Sequence, residues 1–474
     1  MIDIHKLTIK DARLALDNKE FTARQLAEAY LSKIKEVNTE VNAYLEVYSD
    51  VLEQADYADK KIAKGETAPL LGIPLAMKDN ILIKGKKATS GSKILEGFVA
   101  SYDATVIQKL KEAGAVFLGR VNMDEFAMGS STENSAYGVT KNPLDITRVS
   151  GGSSGGSVAA VAMDGAVASL GSDTGGSVRE PASFCGLVGL KPTYGGVSRY
   201  GLMALGSSLD VIGPITKTAT DSEILFNAIR GQDKMDSTTV SDNTYPKKEI
   251  KDKMTIGVPY HILEKGGMKP EAREIFDKSV ERLKELGYQI KDIQLPNIEY
   301  SLAVYYIIMP AEASSNLARF DGVRFGLHID GNNLLEDYMK TRGVGFGKET
   351  RRRILIGTYV LSAGYHDAYY NKALAVRQTI AKDFSSAFEE VDAILTPTTT
   401  GPAFKIGEKA NDPLALYLED IFTVPANIVG IPAISIPSGD MVVDGKTLPL
   451  GMQIMAPHNA ENILFSISKK FLNE

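Results

Sequence analysis

The chain is poor in the residues from which many catalytic sites are built. It has one cysteine, Cys185, so no disulfide can form within it, and that usage fits a reducing compartment. Its five histidines, His5, His261, His328, His366 and His458, are scattered, and none lies near the serine-rich segments in sequence. No uncharged run reaches about 18 residues, the minimum for a membrane-spanning helix. The opening Met-Ile-Asp-Ile-His-Lys has neither the basic nor the apolar region of a secretory signal. A cytoplasmic location is therefore expected. Positive charge is not in excess: 53 Lys and Arg against 59 Asp and Glu leave a net charge of −6 and no footprint for a polynucleotide. Neither a Walker lysine motif nor a G-x-G-x-x-G fingerprint occurs, so the chain is not expected to bind ATP, and no metal or cofactor is expected in it.

What is present reads as one large α/β unit. At 474 residues, length alone suggests two or three domains, but no long linker divides the chain. One domain in three parts is expected: residues 1–65, helical; 66–231, the chemical core; and 232–474, completing the sheet. Thr22 and Gln25 have the spacing of a capping box ahead of Leu26, Tyr30, Leu31 and Ile34 at helical period. A second helix is expected over about 50–64, stopped by Gly65. Apolar strand-like segments at 72–77, 115–118 and 167–170 alternate with helices such as 104–113, which argues for a mixed, largely buried sheet covered by helices on both faces. Residues 232–252 lack any period and read as a surface loop. Beyond them strands are expected at 254–258, 289–293, 393–395, 433–436 and 452–455. Helices are expected near 271–286 and 461–472, with a long one over 349–390 interrupted at Gly357 or Gly364.

The chemistry concentrates in two clusters. Residues 150–157 are only glycine and serine, and Asp173-Thr174-Gly175-Gly176-Ser177 follows after an apolar stretch, Val158 to Leu170, that reads as buried helix then buried strand. A flexible linker would not be tied to packed elements in this way. The pattern predicts two tight turns presenting hydroxyls and N–H groups to a small polar substrate. A serine needs a base. With no histidine close by in sequence and no G-x-S-x-G elbow, a neutral lysine is the alternative, and neutrality requires burial or positive neighbours. Lys78 ends the apolar run Ile73 to Met77 and fits, although on local residues alone a solvated strand-end lysine is the commoner outcome. Cys185, in Ser183-Phe184-Cys185-Gly186, reads as a small buried thiol rather than a nucleophile.

The runs Gly151 to Ser157, Asp173 to Arg179 and Met77-Lys78-Asp79 together resemble the amidase signature family, which hydrolyses amides with a Ser–cisSer–Lys triad. The resemblance implies Ser177 as nucleophile, Ser153 as the bridging serine after a cis peptide bond, and Lys78 as base. The N–H groups of Thr174, Gly175, Gly176 and Ser177 would then form an oxyanion hole, glycine allowing the backbone to turn them inward.

Two further segments, Glu312 to Gly322 and Arg353 to Tyr359, resemble one branch of that family over nearly the whole chain: the glutaminase subunits of tRNA-dependent amidotransferases. This implies free glutamine as substrate. Arg353 suits its carboxylate, with Arg352 as alternative, and Asp420 its ammonium, while one of Tyr305 or Tyr306 walls the site. It also implies a partner subunit that binds tRNA and uses Mg and ATP to activate Glu-tRNA(Gln), Asp-tRNA(Asn) or both, and a small third subunit. The rivals are a free-standing amidase for another amide and a non-catalytic scaffold, which would have no need of all three triad residues.

Overall fold

The computed structural model describes residues 2–241, 243–245, 248–409 and 412–474. Thirteen strands are described: β1 (Tyr44–Val47), β2 (Pro74–Lys78), β3 (Val116–Val121), β4 (Lys141–Asn142), β5 (Asp145–Val149), β6 (Ala168–Asp173), β7 (Val188–Lys191), β8 (Val211–Thr216), β9 (Thr255–Val258), β10 (Gln289–Asp292), β11 (Ala393–Pro397), β12 (Ala433–Val443) and β13 (Lys446–Met455). Eleven form one sheet in the order β1-β3-β2-β6-β8-β7-β12-β13-β11-β9-β10, and β4 and β5 form a separate hairpin. The sheet is mixed. β2 runs parallel to both β3 and β6, and β9 parallel to both β10 and β11, while β6, β8, β7, β12, β13 and β11 alternate antiparallel. Every residue of β2, β3, β6, β7, β8 and β11 is buried, which is why these strands read as continuous apolar runs rather than alternating ones. Helices flank this sheet, an α/β architecture of the expected class.

The expected elements are largely in place. Thr22 Oγ1 accepts from Gln25 N while Gln25 Oε1 accepts from Thr22 N, the two halves of the capping box that starts the helix Ala23–Val41. The helix Val51–Ala63 is followed by Gly65 at φ +80°. The helices Thr105–Glu112, Pro270–Glu285 and Glu461–Leu472 lie where periodicity puts them. Residues 232–252 contain no helix or strand among those described; 242, 246 and 247 of that loop lie outside the described residues.

Three expectations need correction. The first 65 residues are not wholly helical, because β1 pairs antiparallel with β3 and forms the sheet edge; four residues of local pattern cannot outweigh the helical segments around them. The segment 349–390 is two helices, Lys348–Val360 and Lys372–Glu390, separated around Gly364 (φ +85°) and rejoined through a π-helical turn, Asp367–Asn371. Gly357 does not break the first of them: a Cβ there would lie 1.8 Å from the Pro310 carbonyl oxygen, so Gly357 is the point of close approach to the helix Ser301–Asn316. The 433–436 and 452–455 segments belong to one long β12–β13 hairpin, whose outer half is too polar to read as strand.

Candidate active site

β2 and β6 are adjacent parallel strands with Leu75 opposite Ala168 and Met77 opposite Leu170. Lys78 is the last residue of β2 and Asp173 the last of β6. Both chemical segments therefore leave the sheet at the carboxyl ends of neighbouring strands, where loops converge and buried side chains meet open space.

Lys78 is fully buried. Its Nζ lies 2.9 Å from Ser153 Oγ, 2.7 Å from Ser154 Oγ, 3.0 Å from Ser172 Oγ and 3.3 Å from the Ser172 carbonyl oxygen. Sequence reasoning pointed to burial beneath apolar neighbours, but the amine sits instead among hydroxyls. No carboxylate among the described residues pairs with it. The adjacent Asp79 is bound instead by Arg120, Thr89 and the Gly91 N–H. Burial lowers the lysine pKa from 10.5 to about 7, outweighing the more distant negative charges of Asp124, Asp173 and Asp210. Ser154 and Ser172 were not singled out from sequence; their signal was their place in the octet and at the end of the apolar strand.

The Gly152–Ser153 peptide is cis. Gly152 is required by space: a Cβ there would lie 2.2 Å from Asp124 Oδ2 and 2.5 Å from Ser131 N. Asp124 in turn accepts from Thr132 N at 2.9 Å and Asn134 N at 3.0 Å, so one buried carboxylate holds the loop carrying Ser130 against the Ser153 turn.

Ser177 is buried beside this turn, and its Oγ makes no hydrogen bond to Ser153 or to any other described residue. Such contacts are often open before a substrate arrives. The segment around it is rigidly held. Asp173 receives Arg179 Nε at 3.0 Å and Nη2 at 2.9 Å, together with Val178 N at 3.2 Å and Asn427 Nδ2 at 2.9 Å. The guanidinium holds the Asp173 carboxyl down at about 2 despite burial. Among the described residues no acceptor in the chain takes the N–H of Thr174, Gly175, Gly176 or Ser177, whereas Glu180 N closes on Gly176 O at 2.9 Å. Gly176 has φ +144°, and a Cβ there would lie 2.3 Å from Thr423 Oγ1, so glycine is required by both conformation and space.

Tyr305, Asp420 and Thr423 border this turn. A Cβ on Gly175 would lie 2.8 Å from the Tyr305 ring, and one on Gly176 would lie 3.3 Å from Asp420 Oδ1. Asp420 accepts from Ser130 Oγ at 2.7 Å, and burial raises its pKa to about 7 against the lowering pull of Ser130 and Arg353. Arg353 is buried. Its Nε donates to Glu349 Oε1 at 2.6 Å, and its guanidinium lies 5.6 Å from the ring centres of both Tyr306 and Tyr417. Arg352 is one-third exposed and turns to Glu349 and the Tyr417 hydroxyl. Of the two arginines, Arg353 is the one facing the site. Both tyrosines contribute, Tyr305 on the Gly175–Gly176 turn and Tyr306 stacked on Tyr417 at 3.8 Å beneath Arg353.

Cys185 is buried, with Sγ 3.5 Å from the Ser150 carbonyl oxygen, and burial beside Glu180 pushes its thiol pKa up, which suits packing and not attack. No histidine contacts Ser153 or Ser177 among the described residues. No group of three or more metal-ligating side chains is assembled among them, and no helix is long and apolar enough to cross a membrane.

A buried serine pair with a near-neutral lysine and unclaimed N–H groups is equipped for acyl transfer. Comparison with known proteins agrees. The family model described as Amidase matches residues 25–465. The chain is 51% identical over 473 residues to the glutamyl-tRNA(Gln) amidotransferase A subunit of Desulfatibacillum aliphaticivorans, covering 99% of this chain and 97% of that one. Against the protein of the same name from Koribacter versatilis (strain Ellin345) it is 52% identical over 476 residues, 98% of each. Among solved structures, the crystal structure of the glutamyl-tRNA(Gln) amidotransferase A subunit from Thermotoga maritima superimposes with a TM-score of 0.78 at 43% identity, over 99% of this chain and 94% of that. The native peptide amidase from Stenotrophomonas maltophilia gives 0.81 at 28% identity, over 99% and 96%.

Proposed function

The chain belongs to the amidase family, and from that membership we propose that it is the glutaminase subunit of a tRNA-dependent amidotransferase, releasing ammonia from glutamine through Ser177, Ser153 and Lys78. The observation that carries the reading is Lys78: an amine with no carboxylate partner, its pKa lowered to about 7, lying 2.9 Å from Ser153 Oγ.

In this mechanism Ser177 Oγ attacks the carboxamide carbon while its proton passes to Ser153 Oγ and the proton of Ser153 passes to neutral Lys78 Nζ. A hydroxyl can do this because it donates and accepts at once. The oxyanion is met by the N–H groups of the Thr174–Ser177 segment, where a single donor is worth about 2.7–4 kcal/mol. Collapse breaks the C–N bond as the lysinium returns a proton through Ser153 to the departing nitrogen. A glutamyl ester on Ser177 remains. Water then attacks the ester with the same base, and glutamate leaves.

The substrate's α-groups select glutamine. Asp420 pairs with the ammonium and Arg353 with the carboxylate, its guanidinium held flat by Glu349 and the Tyr306 and Tyr417 rings. Ammonia then passes to a partner subunit, which binds tRNA and uses Mg and ATP to activate misacylated Glu-tRNA(Gln), Asp-tRNA(Asn) or both, with a small third subunit joining the pair. This acidic chain leaves the tRNA to that partner, in the cytoplasm. The relatives' shared name supports this assembly. The test is ammonia release from glutamine, asparagine and benzamide, with and without the partner copurified from the native host. Activity confined to bulky apolar amides would replace this reading with a free-standing amidase.

A further inference from the structure

Glu180 is completely buried, one turn after Ser177, and takes no part in the chemistry described above. It nevertheless reaches both turns that carry the reacting serines. Its side-chain Oε2 accepts the Gly152 N–H at 3.0 Å, and Gly152 precedes Ser153. Its own N–H donates to the Gly176 carbonyl at 2.9 Å, and Gly176 precedes Ser177. Glu180 is the one residue hydrogen-bonded to both among those described. The fit is close: a Cβ on Gly151 would lie 2.6 Å from Glu180 Oε2.

We propose that Glu180 is a positioning residue, a strut between Gly152 and Gly176 that sets the separation of Ser153 from Ser177. The inference rests on the functional reading above. The two serines leave different strands and are joined in sequence only through a helix and a strand. Proton relay needs their oxygens within a few tenths of an ångström of a working distance, and a misplacement of about 1 Å can cost about 100-fold in rate.

What Glu180 supplies is an acceptor, not a charge. Its Oε1 has no hydrogen-bond partner, and the negative groups facing it are Asp420, Glu419 and Asp124. Those neighbours and burial push its pKa well above the usual carboxyl range, so the group is a neutral acid that accepts on Oε2 and carries its proton on Oε1. A side chain of the same shape with a neutral acceptor should therefore replace it.

The test uses the full chain and a fluorophosphonate probe, following covalent labelling of Ser177 by mass spectrometry alongside glutamine kinetics. Glu180→Gln should label, and turn over glutamine, within about twofold of wild type, since it keeps the acceptor. Glu180→Met, similar in volume without an acceptor, should label about 10- to 100-fold more slowly and lose kcat by the same factor with KM unchanged. Should that variant not fold, Glu180→Asp withdraws the acceptor by one methylene and should show the same kcat loss. A Met or Asp variant labelled at the wild-type rate overturns the proposal, as does a Gln variant as slow as Met. Failure of the wild type to label at Ser177 would bring down the functional reading, and this inference with it.

Discussion

Asp173 and Arg179 form a fully buried ion pair across the turn that carries Ser177, with two guanidinium nitrogens on one carboxylate at 2.9 and 3.0 Å. The same guanidinium also reaches the Thr423 carbonyl at 2.9 Å and Asn427 Oδ1 at 2.6 Å, so a single side chain fastens the Thr174–Ser177 segment to the wall that bears Asp420. Removing one partner from such a pair leaves an uncompensated buried charge. Asp173→Asn is therefore expected to destabilise the fold by about 3–5 kcal/mol, read as a lower urea midpoint, and to abolish hydrolysis. Arg179→Lys keeps the charge but loses the fork and should fall between the two. An unchanged midpoint for Asp173→Asn would mean that the pair contributes nothing net.

The pH profile follows from two groups. Lys78 must be neutral to act as base, and its pKa is lowered to about 7; Asp420 must be ionised to hold an ammonium, and its pKa is raised to about 7. kcat/KM for glutamine should thus rise as pH climbs through neutrality, with the loss of two protons. Bound substrate removes the Asp420 step by pairing with it, so kcat should rise with the loss of one. Asp420→Asn should reduce the kcat/KM slope to one proton while raising KM. Stability carries the opposite sign to that of an ordinary surface lysine. The unfolded chain binds a proton at residue 78 up to about pH 10.4, and the folded chain only up to about 7. Over that window the unfolded state holds more protons, so this group's contribution to stability increases with pH, by at most about 1.4 kcal/mol per unit. Lys78→Met should abolish that rise in the urea midpoint between pH 7 and 10.

Ser177→Ala should eliminate glutamine hydrolysis while leaving the melting temperature within a degree or two, since the hydroxyl makes no hydrogen bond that the fold depends on. In the complex, use of supplied ammonia should be unaffected. Lys78→Arg should be nearly as inactive, because a guanidinium cannot be neutral near pH 7. Glutamine turnover persisting in Ser177→Ala would move the nucleophile elsewhere.

Legibility in the sequence followed how local each cause is. The helix Ala23–Val41 was readable because its capping box lies within four residues, and β2, β3 and β6 because strands buried on both faces leave continuous apolar runs. β1 and the outer half of the β12–β13 hairpin were not, because edge and solvent-facing residues obey their partners rather than their own pattern. At the site, the Lys78 and Ser153 turns announced themselves through glycine and serine density. The company of Lys78 did not: that hydroxyls of Ser154 and Ser172 surround the amine depends on the register of β2 against β6, which no window of sequence contains. Gly357 misled for a related reason. It looked like a helix breaker, yet its missing Cβ makes room for the Pro310 carbonyl of another helix.

That close approach gives the last prediction. Gly357 lets the helix Lys348–Val360 settle against Ser301–Asn316, which brings Arg353 over Tyr306 while leaving Arg352 on the outer side. If Arg353 meets the substrate carboxylate, Arg353→Ala removes a charge-assisted contact worth about 1.5–3 kcal/mol, and KM for glutamine should rise by about 10- to 100-fold with a smaller change in kcat. Arg352→Ala, which breaks a partly exposed pair with Glu349, should move KM less than about threefold. Gly357→Ala should reproduce part of the Arg353 effect without touching either arginine, because a Cβ placed 1.8 Å from the Pro310 oxygen forces the two helices apart. Steady-state kinetics on the three variants separates these outcomes. Equal KM effects at Arg352 and Arg353 would show that the loss is one of helix packing, and that the carboxylate is held elsewhere.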